Sequence, residues 1–151
     1  MKQLATASLL SLAFTYASQA WAADITVKDP WIRATVPAAT SSGAFMQLQS
    51  AQGARLIEVR SNVAAAVEIH QMTMDGQTMR MFAVSGLDLP AGKPVDLSSG
   101  GYHVMLMELR HQLKAGDIVP LTLVLQKKGK QVETVTVNVP VKPLTYNPSQ
   151  H

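Results

Sequence analysis

Methionine and histidine side chains are concentrated in one part of this chain, between His70 and Met107. These 38 positions contain six of the eight methionines and two of the four histidines, and the chain has no cysteine. Thioether sulfur is a soft donor that selects copper(I), and imidazole is compatible with the same ion. Without a thiolate, a blue-copper electron-transfer centre is excluded. The segment is therefore a candidate copper(I) site.

A turn signal at Asp75-Gly76 brings the first of these residues together. The dipeptide lies between two alternating segments, 64–74 and 78–84, and Asp-Gly is a strong signal for a β-hairpin. Residues directly opposite each other in an antiparallel pair point to the same face of the sheet. A two-residue loop at Asp75-Gly76 predicts three opposed pairs: Met74 with Gln77, Met72 with Met79, and His70 with Met81.

A later strand supplies the remaining donors. His103 and Met105 are two residues apart, so they share a face, and Met107 shares it farther along. If this strand lies against the open end of the hairpin, two imidazoles and two thioethers meet. The set contains no carboxylate, which disfavours magnesium and calcium, and zinc prefers more nitrogen, thiolate or acidic ligands.

A structural interpretation of the same residues is also open. Methionines on strands commonly fill irregular gaps in a core, and a histidine on a strand is often a hydrogen-bonded core or rim residue. Spacing alone does not decide between a copper(I) site and a purely structural role. On the structural one, the protein is a metal-free periplasmic β-sandwich binding module.

The two ends of the chain are predicted to lie outside the folded domain. Residues 1–22 resemble a signal peptide: Lys2 gives a positive start, an apolar stretch follows, and Ala20-Trp21-Ala22 is a cleavage site. We therefore expect export to the periplasm, with no membrane span. Residues 23–142 are predicted to form the domain and residues 143–151, with two prolines, a flexible tail.

The pattern of the domain is that of an all-β protein. About nine short segments alternate between apolar and polar residues and are separated by Gly- and Pro-containing turns, which predicts a single antiparallel β-sandwich. Ser41-Ser42-Gly43 is assigned to one of the turns. The formal net charge is only +3, without a basic stripe, so nucleic acid is not an expected partner. No Gly-x-Ser-x-Gly motif or paired acids indicate an enzyme.

The spacing of the four donors resembles that of a known family. His70, ten residues, Met81, 21 residues and His103-Val104-Met105 match the H-x10-M-x21-H-x-M signature of periplasmic copper chaperones of the PCuAC type. Further landmarks of the family recur along nearly the whole mature chain. They are Asp29-Pro-Trp-Ile-Arg-Ala-Thr35, Leu89-Pro-Ala-Gly92, Gly100-Gly-Tyr-His-Val-Met-Leu-Met107 and Leu113-Lys-Ala-Gly-Asp-Ile-Val-Pro-Leu-Thr122.

The resemblance implies a cupredoxin-like β-sandwich that binds copper(I) through His70, Met81, His103 and Met105. It implies delivery of copper towards the dinuclear centre of cytochrome c oxidase, with subunit II of that oxidase or a Sco-type protein as the partner. Many relatives carry methionine directly after the first histidine, where this chain has Gln71. Some have a copper(II)-binding tail rich in histidine and methionine, of which only His151 is present here.

Four other residues near the signature are interpreted as structural. Trp31 is expected in the core rather than as a cap over a metal ion, and His111 is expected on the surface. Glu68 and Arg80 are expected to flank the site as solvated residues.

Overall fold

The computed structural model describes residues 24–150, so the predicted signal peptide at residues 1–22 and His151 lie outside the described residues. Residues 24–150 form ten β-strands and one short 3-10 helix, Pro148–Gln150. The strands are β1 (Ile25–Arg33), β2 (Ser41–Ser50), β3 (Ala54–Ser61), β4 (Ala64–Asp75), β5 (Thr78–Val84), β6 (Leu87–Leu89), β7 (Pro94–Leu97), β8 (Tyr102–Leu109), β9 (Ile118–Lys127) and β10 (Val132–Lys142).

The strands form one sheet in the order β5-β4-β8-β7-β2-β1-β10-β9-β3-β6, with a further pairing between β8 and β2. The prediction of an all-β fold is confirmed. The antiparallel part of the prediction holds for most pairs, but β1 pairs with β10 in parallel, as does β7 with β8 at Leu97 and Tyr102. Only two residue pairs, Ile32 with Val141 and Arg33 with Lys142, join β1 to β10.

One hydrophobic core serves both halves of this sheet. The half from β5 to β1 contributes side chains such as Leu48 and Val104, and the half from β10 to β6 contributes Leu56, Leu121 and Val139, all fully buried. Because the chain has no cysteine, burial of these side chains, and not a disulfide, stabilises the fold. No helix in residues 24–150 is long and apolar enough to cross a membrane.

Two segments rich in turn-forming residues are in fact parts of strands. Asp29-Pro30 lies inside β1, where the register with β2 shifts between Lys28 and Trp31 and Asp29 has a positive φ of 49°. Proline has no N–H to donate, and a bulge accommodates it. Ser41-Ser42-Gly43 begins β2 and pairs with β8, so assigning it to a turn is wrong.

Lys127 and Tyr146 both contact residues near the start of the described chain, the first through an ion pair and the second through a ring contact. Nζ of Lys127, at the end of β9, lies 2.5 Å from a carboxylate oxygen of Glu133 and 2.9 Å from one of Asp24. The hydrogen bonds to these two carboxylates raise the pKa of Lys127, and the bond to Glu133 contributes most. In the segment predicted to be a flexible tail, the ring of Tyr146 lies 4.9 Å from that of Trp31 in an edge-to-face arrangement.

Gly43 is glycine because an aromatic ring covers it. A Cβ atom added there would lie 2.7 Å from Cζ of Phe45, closer than van der Waals contact permits. We expect Gly43→Ala to displace the Phe45 ring and lower the free energy of unfolding by about 1–3 kcal/mol, the usual cost of overpacking. Thermal or denaturant unfolding measures this.

The matched control is Gly100→Ala, because a Cβ there meets no atom within 4 Å. This control is expected to change stability by less than about 0.5 kcal/mol. Equal stability of the two variants would contradict the proposed role of Gly43.

Candidate metal centre

The two histidines of the signature lie directly opposite each other. β4 pairs antiparallel with β8, and in this register His70 is the partner of His103. Their ring centroids are 5.9 Å apart, with an angle of 64° between the ring planes. The expectation that the His-x-Met strand lies against the hairpin is confirmed, because β8 is the neighbour of β4.

The hairpin between β4 and β5 has a different register from the predicted one. Asp75 pairs with Thr78, so the two loop residues are Gly76 and Gln77, and Gly76 has a positive φ of 62°. The predicted pairs are therefore wrong by two residues. The observed pairs are His70 with Ala83, Met72 with Met81, and Met74 with Met79.

A shift of two residues keeps every side chain on its face, because the side-chain period of a strand is two. Met81 is therefore a diagonal neighbour of His70, at the distance of about 7–8 Å that a long side chain can bridge. On β8, Met105 is the partner of Glu68 and follows His103 on the same face. The register thus places all four signature residues on one face of one half of the sheet.

The four residues differ strongly in exposure. His103 is buried, at 3% exposed, whereas Met81 is 48% exposed. His70 and Met105 are intermediate. The group therefore extends from a fixed, buried imidazole to a thioether in contact with solvent.

One nitrogen of each imidazole donates a hydrogen bond, which determines the position of the ring proton. Nδ1 of His103 lies 3.3 Å from the carbonyl oxygen of Gly101, which can only accept, so this nitrogen carries the proton. Nε2 of His70 lies 2.7 Å from Oε2 of Glu68 and donates to it. In the neutral imidazole the other nitrogen then has a free lone pair, namely Nε2 of His103 and Nδ1 of His70.

Nδ1 of His70 is an unusual atom in this structure. It is buried and has no hydrogen-bond partner. Buried polar atoms are nearly always satisfied, and an orphan indicates a functional role or a missing ligand. A buried, unprotonated imidazole nitrogen beside a second imidazole and two thioethers fits a soft metal ion.

Glu68 is the residue that the sequence interpretation missed. Its side chain is exposed beside the site, as predicted, but its carboxylate also accepts a hydrogen bond from the ring of His70, which the sequence analysis does not predict. The signal was present, because residues 68 and 70 are two apart on a strand and therefore share a face. Ligand histidines typically donate their second N–H to such a carboxylate, which fixes the tautomer and the ring orientation.

A row of aromatic rings covers the buried side of the group. Phe45 lies 6.3 Å from His103 and 4.5 Å from Trp31, measured between ring centroids. Trp31 is buried as expected, but it lies outside the core cluster, in this row. Its cationic neighbour is Arg33, whose guanidinium carbon is 5.4 Å from the Trp31 ring. His111 is exposed, as predicted.

Within residues 24–150, no three side chains among histidine, aspartate and glutamate come close enough to hold a metal ion. The two thioethers of the signature, Met81 and Met105, lie on the sheet face that carries the two imidazoles.

Comparison with known proteins gives both a family and a fold. Residues 25–141 match the family model described as "Putative lipoprotein LpqE-like". A protein of Leifsonia xyli subsp. xyli (strain CTCB07), named "Putative lipoprotein Lxx21020", is 30% identical over 119 residues. The match covers 78% of this chain and 69% of that protein.

Solved structures of similar fold are PCuAC domains and a protein of Deinococcus radiodurans. The copper-bound PCuAC domain from PmoF2 aligns with a TM-score of 0.63 and 24% identity over 80% of this chain and 93% of its own. Apo-DR1885 of D. radiodurans aligns with a TM-score of 0.60 and 29% identity, and the alignment covers 95% of this chain and 97% of DR1885. Its copper(I) form, CuI-DR1885, aligns with a TM-score of 0.56 and 29% identity. That alignment covers 83% of this chain and 85% of CuI-DR1885.

The bond from Glu68 predicts the tautomer of His70. In the metal-free protein we expect the proton on Nε2, because a carboxylate accepts it there. Glu68→Ala removes the acceptor and is expected to mix the two tautomers, whereas Glu68→Gln retains a carbonyl oxygen that can accept. Nitrogen-15 shifts of the imidazole at a pH where it is neutral measure the ratio.

Glu133→Ala is the matched control, since Glu133 pairs with Lys127 and lies on β10, in the other half of the sheet. It should leave the His70 spectrum unchanged. A wild-type His70 with its proton on Nδ1 would contradict the assignment.

Proposed function

This chain belongs to the LpqE-like family, and we propose that it is a copper(I)-binding metallochaperone of the periplasm. The observation that carries the proposal is the pairing of His70 with His103 on the sheet face that Met81 and Met105 share. The proposed ligands are these four residues. The cupredoxin-like character of the sandwich is part of the same proposal.

The chemistry of the donor set supports copper(I) over other ions. Two thioethers and two neutral imidazoles have no formal charge, and soft thioethers favour copper(I). Magnesium and calcium require oxygen ligands, and zinc sites are built from thiolate, imidazole and carboxylate. The carboxylate of Glu68 lies beside the ring of His70, which donates a hydrogen bond to it.

Two solved relatives give this proposal further support. DR1885, at 29% identity, has a structure with copper(I), and the PmoF2 domain has a copper-bound one. Since both relatives have copper-bound structures, we propose that this chain is likewise a metal-binding protein and not an enzyme. Because the matched family is described as lipoproteins, export of this chain is supported.

The graded exposure of the site suits a protein that gives up its cargo. Buried His103 is held by Gly101 and by the Phe45 ring, and His70 is held by Glu68, so the two imidazoles are oriented before copper binds. Exposed Met81 and half-buried Met105 supply neutral, flexible donors that an incoming ligand can replace one at a time. A thiolate on a partner binds copper(I) more strongly than a thioether, so transfer to it is favourable.

The recipient is part of the proposal. On the resemblance to the PCuAC type, we propose delivery towards the dinuclear copper centre of cytochrome c oxidase, either directly to subunit II or through a Sco-type protein.

Copper(I) titration under anaerobic conditions, with a chromophoric competitor, tests the site. The quadruple variant His70→Gln, Met81→Leu, His103→Gln, Met105→Leu is expected to lose the tight binding of the wild-type protein, because every proposed donor is removed. The double variant His111→Gln, Met107→Leu serves as a control, since it removes one imidazole and one thioether outside the proposed set. Circular dichroism verifies that each variant is folded.

Wild-type affinity in the quadruple variant would refute the ligand assignment. The thermal midpoint provides a second readout, because a ligand that binds only the folded state stabilises it by about 2.7 kcal/mol at a free concentration of about 100 times Kd. Equal midpoints with and without copper(I) would favour the metal-free binding module. X-ray absorption of the loaded protein counts the sulfur and nitrogen neighbours.

A further inference from the structure

The outer end of the β4–β5 hairpin extends beyond the rest of the sheet. The register of β4 with β8 ends at Gln71, whose partner is Tyr102, and the N–H of Met72 still donates to the carbonyl oxygen of Gly101. From Thr73 to Asp75, β4 continues with β5 beside it. In this two-stranded extension Met74 faces Met79, and Met72 faces Met81. Four methionines thus form two successive cross-strand pairs, leading from the tip of the hairpin to His70.

Packing does not account for the outer pair. Met74 is 62% exposed and Met79 is 61% exposed, and neither belongs to the core cluster. Methionine on a strand usually fills a gap in a core. Single exposed apolar residues are common and need no explanation. Two thioethers directly opposite each other, on the face that carries the two histidines, are not a scattered pair.

The geometry of the outer pair permits both sulfur atoms to approach one ion. Directly opposed residues have Cβ atoms about 4.5–5.5 Å apart. Each methionine side chain has three rotatable bonds, so the two sulfur atoms can be brought to the same point from an exposed position. Thioethers of this kind select copper(I) among the biological metals.

The charges at the tip do not compete for the ion. Arg80 is the partner of Thr73, so it lies on the opposite face of the hairpin, and its Nη2 is 3.3 Å from Oδ2 of Asp75. The carboxylate nearest to the methionine pair is therefore engaged by a cation. On the methionine face of the extension, positions 72, 74, 79 and 81 are all thioethers.

We propose that Met74 and Met79 form a second, weaker copper(I) site, at which copper is loaded before it moves to the inner site. Two donors bind the ion less tightly than four, so movement inward is favourable. Met72 lies between the two positions, opposite the inner ligand Met81, and supplies a thioether for the exchange. The ion remains copper(I) throughout, since each step replaces one neutral donor by another and no electron is transferred.

Binding at the outer pair does not depend on the proposed function, but the role in loading does. Methionine methyl resonances, labelled with carbon-13, separate the two sites during an anaerobic titration with copper(I) or silver(I). In the wild-type protein we expect the Met81 and Met105 methyls to shift with the first equivalent. The Met74 and Met79 methyls should shift with a second, weaker equivalent.

The test variant is Met74→Leu, Met79→Leu, which preserves side-chain size and apolar character but removes both sulfur atoms. It is expected to lose the second equivalent, to retain the affinity of the first, and to load the inner site several-fold more slowly in stopped-flow measurements. The control is Phe82→Leu, an exposed residue on the other face of β5. This control should bind both equivalents of copper(I) and load the inner site at the wild-type rate.

The quadruple variant of the inner site distinguishes failure of this proposal from failure of the proposed function. Shifts of the Met74 and Met79 methyls that persist in that variant support the outer site, whatever the inner residues do. A second equivalent that persists in Met74→Leu, Met79→Leu would overturn the proposal, as would the absence of any second equivalent in the wild-type protein. Slower transfer to a partner without any change in metal binding would overturn it too, because the pair would then be a protein-docking surface.

Discussion

The candidate site depends on the cross-strand register between β4 and β8. Direct opposition of His70 and His103 is fixed by six consecutive residue pairs, from Ala66 to Gln71 on β4, and a slip by one residue would turn one ring into the core. The apolar residues of the other face enforce that register. Ile69 is the partner of Val104, and both are buried, so the core and the two imidazoles are specified by the same alignment.

The surroundings of the two imidazoles show how a site can be both prepared and accessible. On the β2 side, Gly43 makes room for Phe45, and the ring of Phe45 lies between His103 and Trp31. On the β5 side, the side chain of Met81 is 48% exposed to solvent. One side of the site is thus held by close packing in which small changes of volume are costly, and the other consists of flexible side chains in water.

Local patterns predicted the faces but not the pairings. Alternation placed His103 with Met105, and Asp75-Gly76 marked a hairpin between the correct strands. The loop is one residue farther along, at Gly76-Gln77, because glycine takes the first loop position and there adopts a positive φ. Because the loop lies one residue farther along than predicted, the cross-strand partner of His70 is Ala83 and not Met81.

The contacts that the sequence did not predict are mostly between residues distant along the chain. The opposition of His70 and His103 joins strands separated by β5, β6 and β7, and no local signal specifies it. The same holds for the Trp31–Tyr146 contact, which joins the two ends of the described chain. Glu68 is the exception, since its bond to His70 is local and follows from period-two spacing.

The parallel seam between β1 and β10 has a consequence for how the molecule folds. The first and last strands are neighbours, and β10 alone connects β9, β3 and β6 to the remainder of the sheet. The core therefore cannot close until the C-terminal strand is available, whatever has formed before. Contacts of such long sequence separation form slowly, so we expect the pairing of β1 with β10 to be a late step of folding.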